Sequence, residues 1–417
     1  MNILVVGGGG REHAICHALR RSPRTDRLYC APGNGGIAGV ATCVDIKATD
    51  LDGIVRFTKD NQIDFVMVAP DDPLALGLVN RLEEAGIRAF GPRAEAAIIE
   101  SSKIFSKNLM KKYGIPTAEY AVFDDMDEAI AYVHKMGAPI VVKADGLALG
   151  KGVVVAPDEK TAVSAVKSMM ADKKFGASGS KIVIEACMTG PEVTVLAFTD
   201  GKTIVPMLSS QDHKRAFNND EGPNTGGMGA FCPSPNYTPE IAEICMQTIF
   251  LPTIRAMAQE GRLFKGVIYF GLMLTPKGPR VVEYNARFGD PETQPILTML
   301  ETDLLDIFEA VVDERLADIT VKWRDGAACC IVMASGGYPD SYEKGYEITG
   351  LETVPSDITV YHAGTLFKDG LYLTNGGRVL GVTATGATLS DAVKHAYDGV
   401  KCVSFQNAHY RTDIGAK

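Results

Sequence analysis

Lys143-Ala-Asp-Gly-Leu-Ala-Leu-Gly-Lys-Gly152 is the stretch on which the reading of this chain turns. It lies between two β-branched runs, Pro139–Val142 and Val153–Val155, so a strand ends in a lysine, a glycine-rich loop follows and a second strand leaves it. Gly146, Gly150 and Gly152 free the backbone of the loop. Its amide N–H groups, with the ammonium groups of Lys143 and Lys151, make a tip suited to closing over a polyphosphate. This is not a Walker A loop: the spacing is Gly146-x-x-x-Gly150-Lys151, Gly152 stands where Ser or Thr should meet magnesium, and strand rather than helix follows. Taken alone, the segment also fits a plain flexible hairpin.

Outward from the hairpin, four segments emerge: 1–101, 102–190, 191–318 and 319–417. The first alternates strand and helix (Ile3–Val6, Arg11–Arg21, Ile63–Val68, Pro73–Ala85), the pattern of a small parallel sheet with helices outside. Gly7–Gly10, Pro32–Gly36 and Ala69–Pro73 should gather at the carboxyl ends of its strands, where ligands of such sheets bind. The tetraglycine does not make a dinucleotide fingerprint, because Glu12 replaces the third glycine and no acid follows the second strand. A phosphate at this helix N-terminus remains expected. The second segment begins with a helix from Ser101–Lys103 to Tyr113-Gly114 and continues through the hairpin, a helix over Asp158–Ala171 and a strand over Ile182–Glu185. The third reads as an antiparallel sheet (Val193–Phe198, Thr203–Met207, Val267–Thr275, Arg280–Tyr284) with one long helix, Pro239–Glu260. The last is a small α+β piece, with strands over Cys329–Met333, Thr359–Leu366 and Val379–Thr383 and a helix over Leu389–Val400. The fold class is therefore α/β and α+β, in several domains.

The candidate chemistry sits at the end of one strand, Glu283-Tyr-Asn285-Ala-Arg287. Alternation puts Glu283, Asn285 and Arg287 on one face. Carboxylate and amide oxygens two residues apart are hard ligands suited to magnesium, and Arg287 beside them suits a phosphoryl group or a developing oxyanion. Asp290-Pro-Glu292 ends the strand, with Asp290 expected to orient that arginine. A salt-bridged strand end is the plainer alternative. Together with Lys143 and Lys151, however, the triplet completes a nucleotide triphosphate site: cations for the phosphates, oxygens for the metal and a glycine lid.

This arrangement resembles the ATP-grasp superfamily, whose nucleotide lies between two α+β subdomains. Gly9–Ala14 (G-G-R-E-H-A), Lys143–Val155, Gln211–Arg215 (Q-D-H-K-R), Gly222–Gly229 (G-P-N-T-G-G-M-G), Asn285–Gln294, Asn375–Ala384 and Tyr410–Gly415 are similar to the phosphoribosylamine–glycine ligase family, from end to end of the chain. The resemblance implies ATP, glycine and 5-phosphoribosylamine as substrates, a glycyl phosphate intermediate, and Mg2+ or Mn2+. By the same resemblance Lys103 and Lys143 hold ATP phosphates under the lid Gly146–Gly152. Glu185, Ala186, Met188 and Glu192 meet adenine and ribose, and Glu283 and Asn285 hold the metal. Arg287 steadies the transferring phosphoryl group. Asp212, Lys214, Pro223, Asn224 and Gly226 border the glycine and amine site, and Gly9, Asn34, Gly35 and Asp71 the phosphoribosylamine. The chain departs from the family pattern at Ala69 and Asp71, where G-P-E is usual, and at Ala186, where a second acid is usual.

Composition agrees. The 417 residues are 46% hydrophobic and 22% charged, as in ordinary globular proteins. A net charge of −9 argues against a nucleic-acid surface and requires any anion site to concentrate its cations locally. No apolar run approaches the roughly 18 residues of a membrane span, and nine dispersed cysteines without a C-x-x-C pair fit reduced thiols in a cytoplasm. His13 and His17 lack the glutamate of an H-E-x-x-H zinc site. The competing functions are a carboxylase or another carboxylate–amine ligase of the same fold, and a non-catalytic nucleotide-binding module. The module predicts loss of Lys143, Glu283, Asn285 or Arg287, and all four are present.

Overall fold

The computed structural model describes residues 1–147, 152–171 and 181–416. Gly150 and Lys151, expected in the lid, lie outside the described residues. At the N-terminus, five parallel strands lie in the order Thr42–Cys43, Arg27–Pro32, Asn2–Gly7, Phe65–Val68, Arg88–Phe90. The three turns do converge at their carboxyl ends: Gly33 N donates to Gly7 O at 3.1 Å, Asn34 Nδ2 to Gly8 O at 3.0 Å and Ala69 N to Val6 O at 3.3 Å. The phosphate expected at the tetraglycine meets a competitor there. Buried Glu12 folds back under the turn and its Oε2 accepts from Gly9 N at 2.6 Å, so a carboxylate of the chain itself already takes the positive helix end. Gly7, at φ +126°, makes room for it, since a Cβ there would lie 2.5 Å from Glu12 Cγ. The single helix expected over Pro73–Ala85 is two, Asp71–Ala75 and Leu78–Glu84, broken at Gly77 with φ +85°.

The hairpin forms as read. Ile140–Ala144 pairs with Val153–Ala156 in antiparallel register (Lys143 opposite Val153), within a sheet ordered Tyr120–Phe123, Ile182–Ala186, Ile140–Ala144, Val153–Ala156. The buried faces of helices Met126–Met136 and Glu159–Met170 pack on it. The next sheet is the expected antiparallel one, in the order Ile204–Pro206, Glu192–Thr199, Gly266–Thr275, Gly278–Asn285. Its long helix, Pro239–Gln259, is apolar enough by length and composition to cross a membrane. One face of it packs into the core, with Cys245, Ile249, Phe250, Ile254 and Met257 buried in one cluster with the sheet residues Val195 and Phe270. It widens to a π turn over Met246–Phe250, just before Pro252, which has no amide to give to the turn behind it.

The fourth sheet was not foreseen as it stands. Gln211–Asp212 and Gly229–Cys232, from the glycine-rich stretch of the third segment, join Ala327–Ser335, Arg378–Gly386 and Ile358–His362 in one sheet, with Ala408–His409 on Ala327–Ser335. The strand expected over Thr359–Leu366 is two, Ile358–His362 and Thr365–Lys368. The chain turns at Gly364, where a Cβ would come within 2.4 Å of the Gly376 Cα. Asn34 fastens the first segment to this one, with Nδ2 donating to His362 O at 2.8 Å while its Oδ1 accepts from Gly36 N and Ile37 N.

Candidate active site

One cleft of about 520 Å³ draws its walls from all four segments. Its floor begins with the helix Lys103–Tyr113. Ser102 caps it through Phe105 N at 3.1 Å, and Asp145 of the hairpin loop accepts from Ser102 Oγ at 3.1 Å and from Ile104 N at 3.0 Å. That double cap locks the hairpin to the helix and sets Lys103 at its first position, Nζ donating to Gly146 O at 2.9 Å. Across the cleft the strand Gly278–Asn285 is bulged: Gly271 faces Glu283 and Leu272 faces Val281, leaving Val282 without a partner. The free Val282 carbonyl accepts from Lys143 Nζ at 3.0 Å. Beyond the bulge the predicted alternation holds, with Glu283, Asn285 and Arg287 partly exposed to the cleft and Tyr284, Ala286 and Phe288 buried.

Electrostatics follows from this facing of charges. Burial opposes ionisation of Glu283, but Lys214, Lys143, Lys103 and Arg287 outweigh it and hold the carboxyl below its ordinary value. Burial pushes the Lys103 ammonium down, and Lys143 beside it adds to the push. Lys214 is held well above the ordinary lysine range despite burial, by Asp212 and by Glu192, whose Oε2 lies 3.2 Å from Nζ. Burial, then the charge of Asp212, lifts the carboxyl of Glu292, in the cleft wall, to about 7.

Several expected residues meet here: Asp71, Lys103, Lys143, Gly146 and Gly152; then Glu185, Asp212, Lys214 and Gly226; then Glu283, Asn285, Arg287 and Asp290. Others stand back from the walls, namely Gly9, Asn34, Gly35, Ala186, Met188, Glu192, Pro223 and Asn224. Asn34 has its amide oxygen and nitrogen engaged within the fold, and Gly35 packs on the Thr365–Lys368 strand, 2.8 Å from Phe367 N for any added Cβ. Ala186 N is taken by Glu119 O at 2.9 Å. Ala69 is fully buried, so its methyl group faces the core rather than a ligand. Asp71 lines the cleft, kept ionised against burial by Arg287 and Arg11.

One expected pairing is corrected. Asp290 does not orient Arg287; its Oδ2 pairs with Arg378 Nη2 at 3.2 Å and its Oδ1 accepts from Gln294 Nε2 at 2.8 Å. The carboxylate on Arg287 is Glu100, at the end of the helix Ala94–Ser101, 2.9 Å from Nη2 and accepting also from Ala286 N at 2.7 Å. Arg287 Nη1 donates to Phe288 O, and its buried Nε has no partner among the described residues. Glu185 likewise has partners within the fold. Buried at 3% exposure, it sits 2.9 Å from both Lys107 Nζ and Lys143 Nζ. Lys107 follows Lys103 by one helical turn, a spacing the sequence displayed. Glu100 had no such signal, because only the fold brings it to Arg287.

Comparison with known proteins agrees with this geometry. Residues 1–100, 101–293 and 328–417 match the N domain, the ATP-grasp (A) domain and the C domain of phosphoribosylglycinamide synthetase. The phosphoribosylamine–glycine ligase of Halalkalibacterium halodurans is 48% identical over 417 residues, covering 100% of this chain and 97% of the relative. That of Listeria monocytogenes (serovar 1/2a) is 48% identical, covering 100% of both. The crystal structure of the Thermotoga maritima phosphoribosylamine–glycine ligase superposes with a TM-score of 0.86 at 33% identity, over 99% of this chain and 100% of that one. A biotin carboxylase from Campylobacter jejuni, 12% identical, shares the fold with a TM-score of 0.76 over 98% of this chain and 93% of its own. With three segments matched and relatives nearly half identical along its whole length, the chain belongs to the phosphoribosylglycinamide synthetase family, the phosphoribosylamine–glycine ligases of the ATP-grasp fold.

Proposed function

We propose how this chain divides the labour of its family's reaction, the ATP-dependent joining of glycine to 5-phosphoribosylamine to give glycinamide ribonucleotide, ADP and phosphate. The carboxylate of glycine is a poor electrophile, so the γ-phosphoryl group of ATP is first transferred to it, and the amine then displaces phosphate from glycyl phosphate. Both partners of the first step are anions, and preorganised cations lower that barrier most. Lys103 and Lys143 hold the nucleotide phosphates beneath the Gly146–Gly152 lid, and Arg287, which lines the same cleft, steadies the transferring group. Adenine and ribose lie toward Glu185–Met188 and Glu192. Asp212, Lys214 and the loop Pro223–Gly226 form the glycine end, with the phosphoribosylamine on the side of Asp71 and the N-terminal turns.

Glu283 and Asn285 fit a divalent cation by their donor chemistry, two hard oxygens with the carboxyl held ionised. No group of three or more His, Cys, Asp or Glu among the described residues makes a metal cage, and in this reading phosphate oxygens and water complete the shell. Magnesium or manganese bound there would neutralise the phosphate oxygens. The four segments 1–101, 102–190, 191–318 and 319–417 act as one site in this reading. A cytoplasmic setting without membrane or nucleic-acid partners belongs to the same reading, as do nine cysteines that are all free thiols.

The observation that carries the assignment is the facing of Lys103, Lys143 and Lys214 onto Glu283 in a single cleft. The test is ADP release with glycine and magnesium, with and without phosphoribosylamine generated from ribose 5-phosphate and ammonia. Release that requires both acceptor and glycine, with glycinamide ribonucleotide appearing in step, is expected. Bound ATP without release under any combination overturns the proposal.

A further inference from the structure

The guanidinium of Arg378 opens the strand Arg378–Gly386 in the C-terminal segment, yet it lines the cleft. Its Nη1 donates to Gly226 O at 2.6 Å and to Asp290 O at 2.7 Å, with Gly227 O at 3.4 Å, while Nη2 pairs with Asp290 Oδ2 at 3.2 Å. One planar group thus bonds both the glycine-rich loop and Asp290, five residues past the strand Gly278–Asn285, at a place where Gly227 already packs on Pro291. The loop is gripped from its other side as well, since Gly226 N donates to Tyr338 Oη at 3.0 Å. Gly227 is required, since at φ +111° a Cβ would lie 2.5 Å from Pro291 Cδ, and Gly226 fits closely, a Cβ there lying 3.0 Å from Arg378 Cζ. The charge is balanced where it sits, because against partial burial Arg378 and then Arg11 keep Asp290 ionised. Lysine cannot replace this geometry, since a single ammonium does not span a carboxylate and three carbonyls in one plane.

We infer that Arg378 is a positioning residue, through which the C-terminal segment sets the acceptor end of the cleft by clamping the Gly226–Gly227 loop to Asp290. The inference rests on the proposed ligase reaction and adds to it a residue of the C-terminal segment, apart from the phosphate lysines Lys103 and Lys143. It predicts a split between substrates. Arg378→Ala and Arg378→Lys should each lower kcat/KM for glycine and phosphoribosylamine by about tenfold to a hundredfold, in line with small displacements of positioned groups. The ATP dissociation constant should stay within about twofold, because Lys103, Lys143 and Glu185 lie on other elements. Guanidinium ion added at tens of millimolar should restore part of the loss in Arg378→Ala and nothing in wild type. Tyr338→Phe, which removes only the Oη acceptor of Gly226 N, should move the same parameters less, and it keeps the inference testable if Arg378→Ala does not fold. Unchanged acceptor kinetics in Arg378→Lys and Tyr338→Phe, or an equal loss in ATP affinity, would overturn it. An inactive wild type would instead count against the proposed reaction itself.

Discussion

Glu100 offers the sharpest test of how Arg287 is held. Glu100→Gln keeps the shape and an oxygen for the Ala286 amide, 2.7 Å away, but replaces the charged acceptor 2.9 Å from Arg287 Nη2 with a neutral amide. A hydrogen bond to a charged group contributes about 1.5–3 kcal/mol. Arg287 would retain its bonds to Phe288 O at 3.2 Å and Asn285 Oδ1 at 3.4 Å, so the guanidinium loosens rather than leaves. If the lost energy appears in the transition state, kcat falls roughly tenfold to a hundredfold. Arg287→Ala, which removes a transition-state donor outright, should cost roughly 10²–10³ in kcat with little change in ATP binding. Because Glu100 acts through Arg287, the double variant should be about as slow as Arg287→Ala alone. Stability should hold or rise in Glu100→Gln, since burial already works against the Glu100 carboxylate. Steady-state kinetics on the four proteins, with thermal unfolding beside them, decides the matter. Multiplicative losses in the double variant would show that Glu100 and Arg287 act independently and would refute the reasoning.

Three further expectations concern the floor of the cleft. Glu283→Ala should raise the magnesium concentration needed for half-maximal activity, and an unchanged metal titration would move the metal off this strand. Lys107, pushed down to about 8 by burial, sheds its proton in the folded protein before it does in the unfolded chain. Between about pH 8 and the ordinary lysine value the unfolded chain holds the extra proton, so this residue's contribution to stability grows with pH. The melting temperature of wild type should therefore gain on that of Lys107→Met across that window, and a flat or shrinking difference would count against a depressed Lys107. Ser102→Ala removes the side-chain cap on Phe105 N and one bond to Asp145, and should cost about 1 kcal/mol of stability; no loss would mean that Asp145 caps the helix unaided.

Local order was legible wherever period and turn chemistry carry it. The hairpin at Lys143, the parallel N-terminal sheet and the Glu283–Asn285–Arg287 face depend on strand alternation and glycine placement, which neighbours along the chain dictate. That Lys103, Lys143, Glu283 and Asn285 belong together was legible for the same reason, since each stands beside a turn or a strand end. Breaks were less so. Gly77 splits one expected helix, and Gly364 splits an expected strand because another backbone approaches it, a contact from 12 residues away that no local pattern records.

Partnership between distant side chains was decided by tertiary structure alone. Asp290 stood three residues from Arg287 and looked like its partner, yet the chain turns through Gly289 and Asp290, so that Asp290 meets Arg378 from the C-terminal segment while Glu100 fills the place beside Arg287. The glycine-rich loop, which looked internal to its own segment, is flanked by strands that complete the C-terminal sheet. A one-dimensional pattern specifies which face a residue takes and what chemistry it brings. Which opposite charge comes to lie against it depends on how sheets stack across a cleft, through contacts that only the packed core brings within reach.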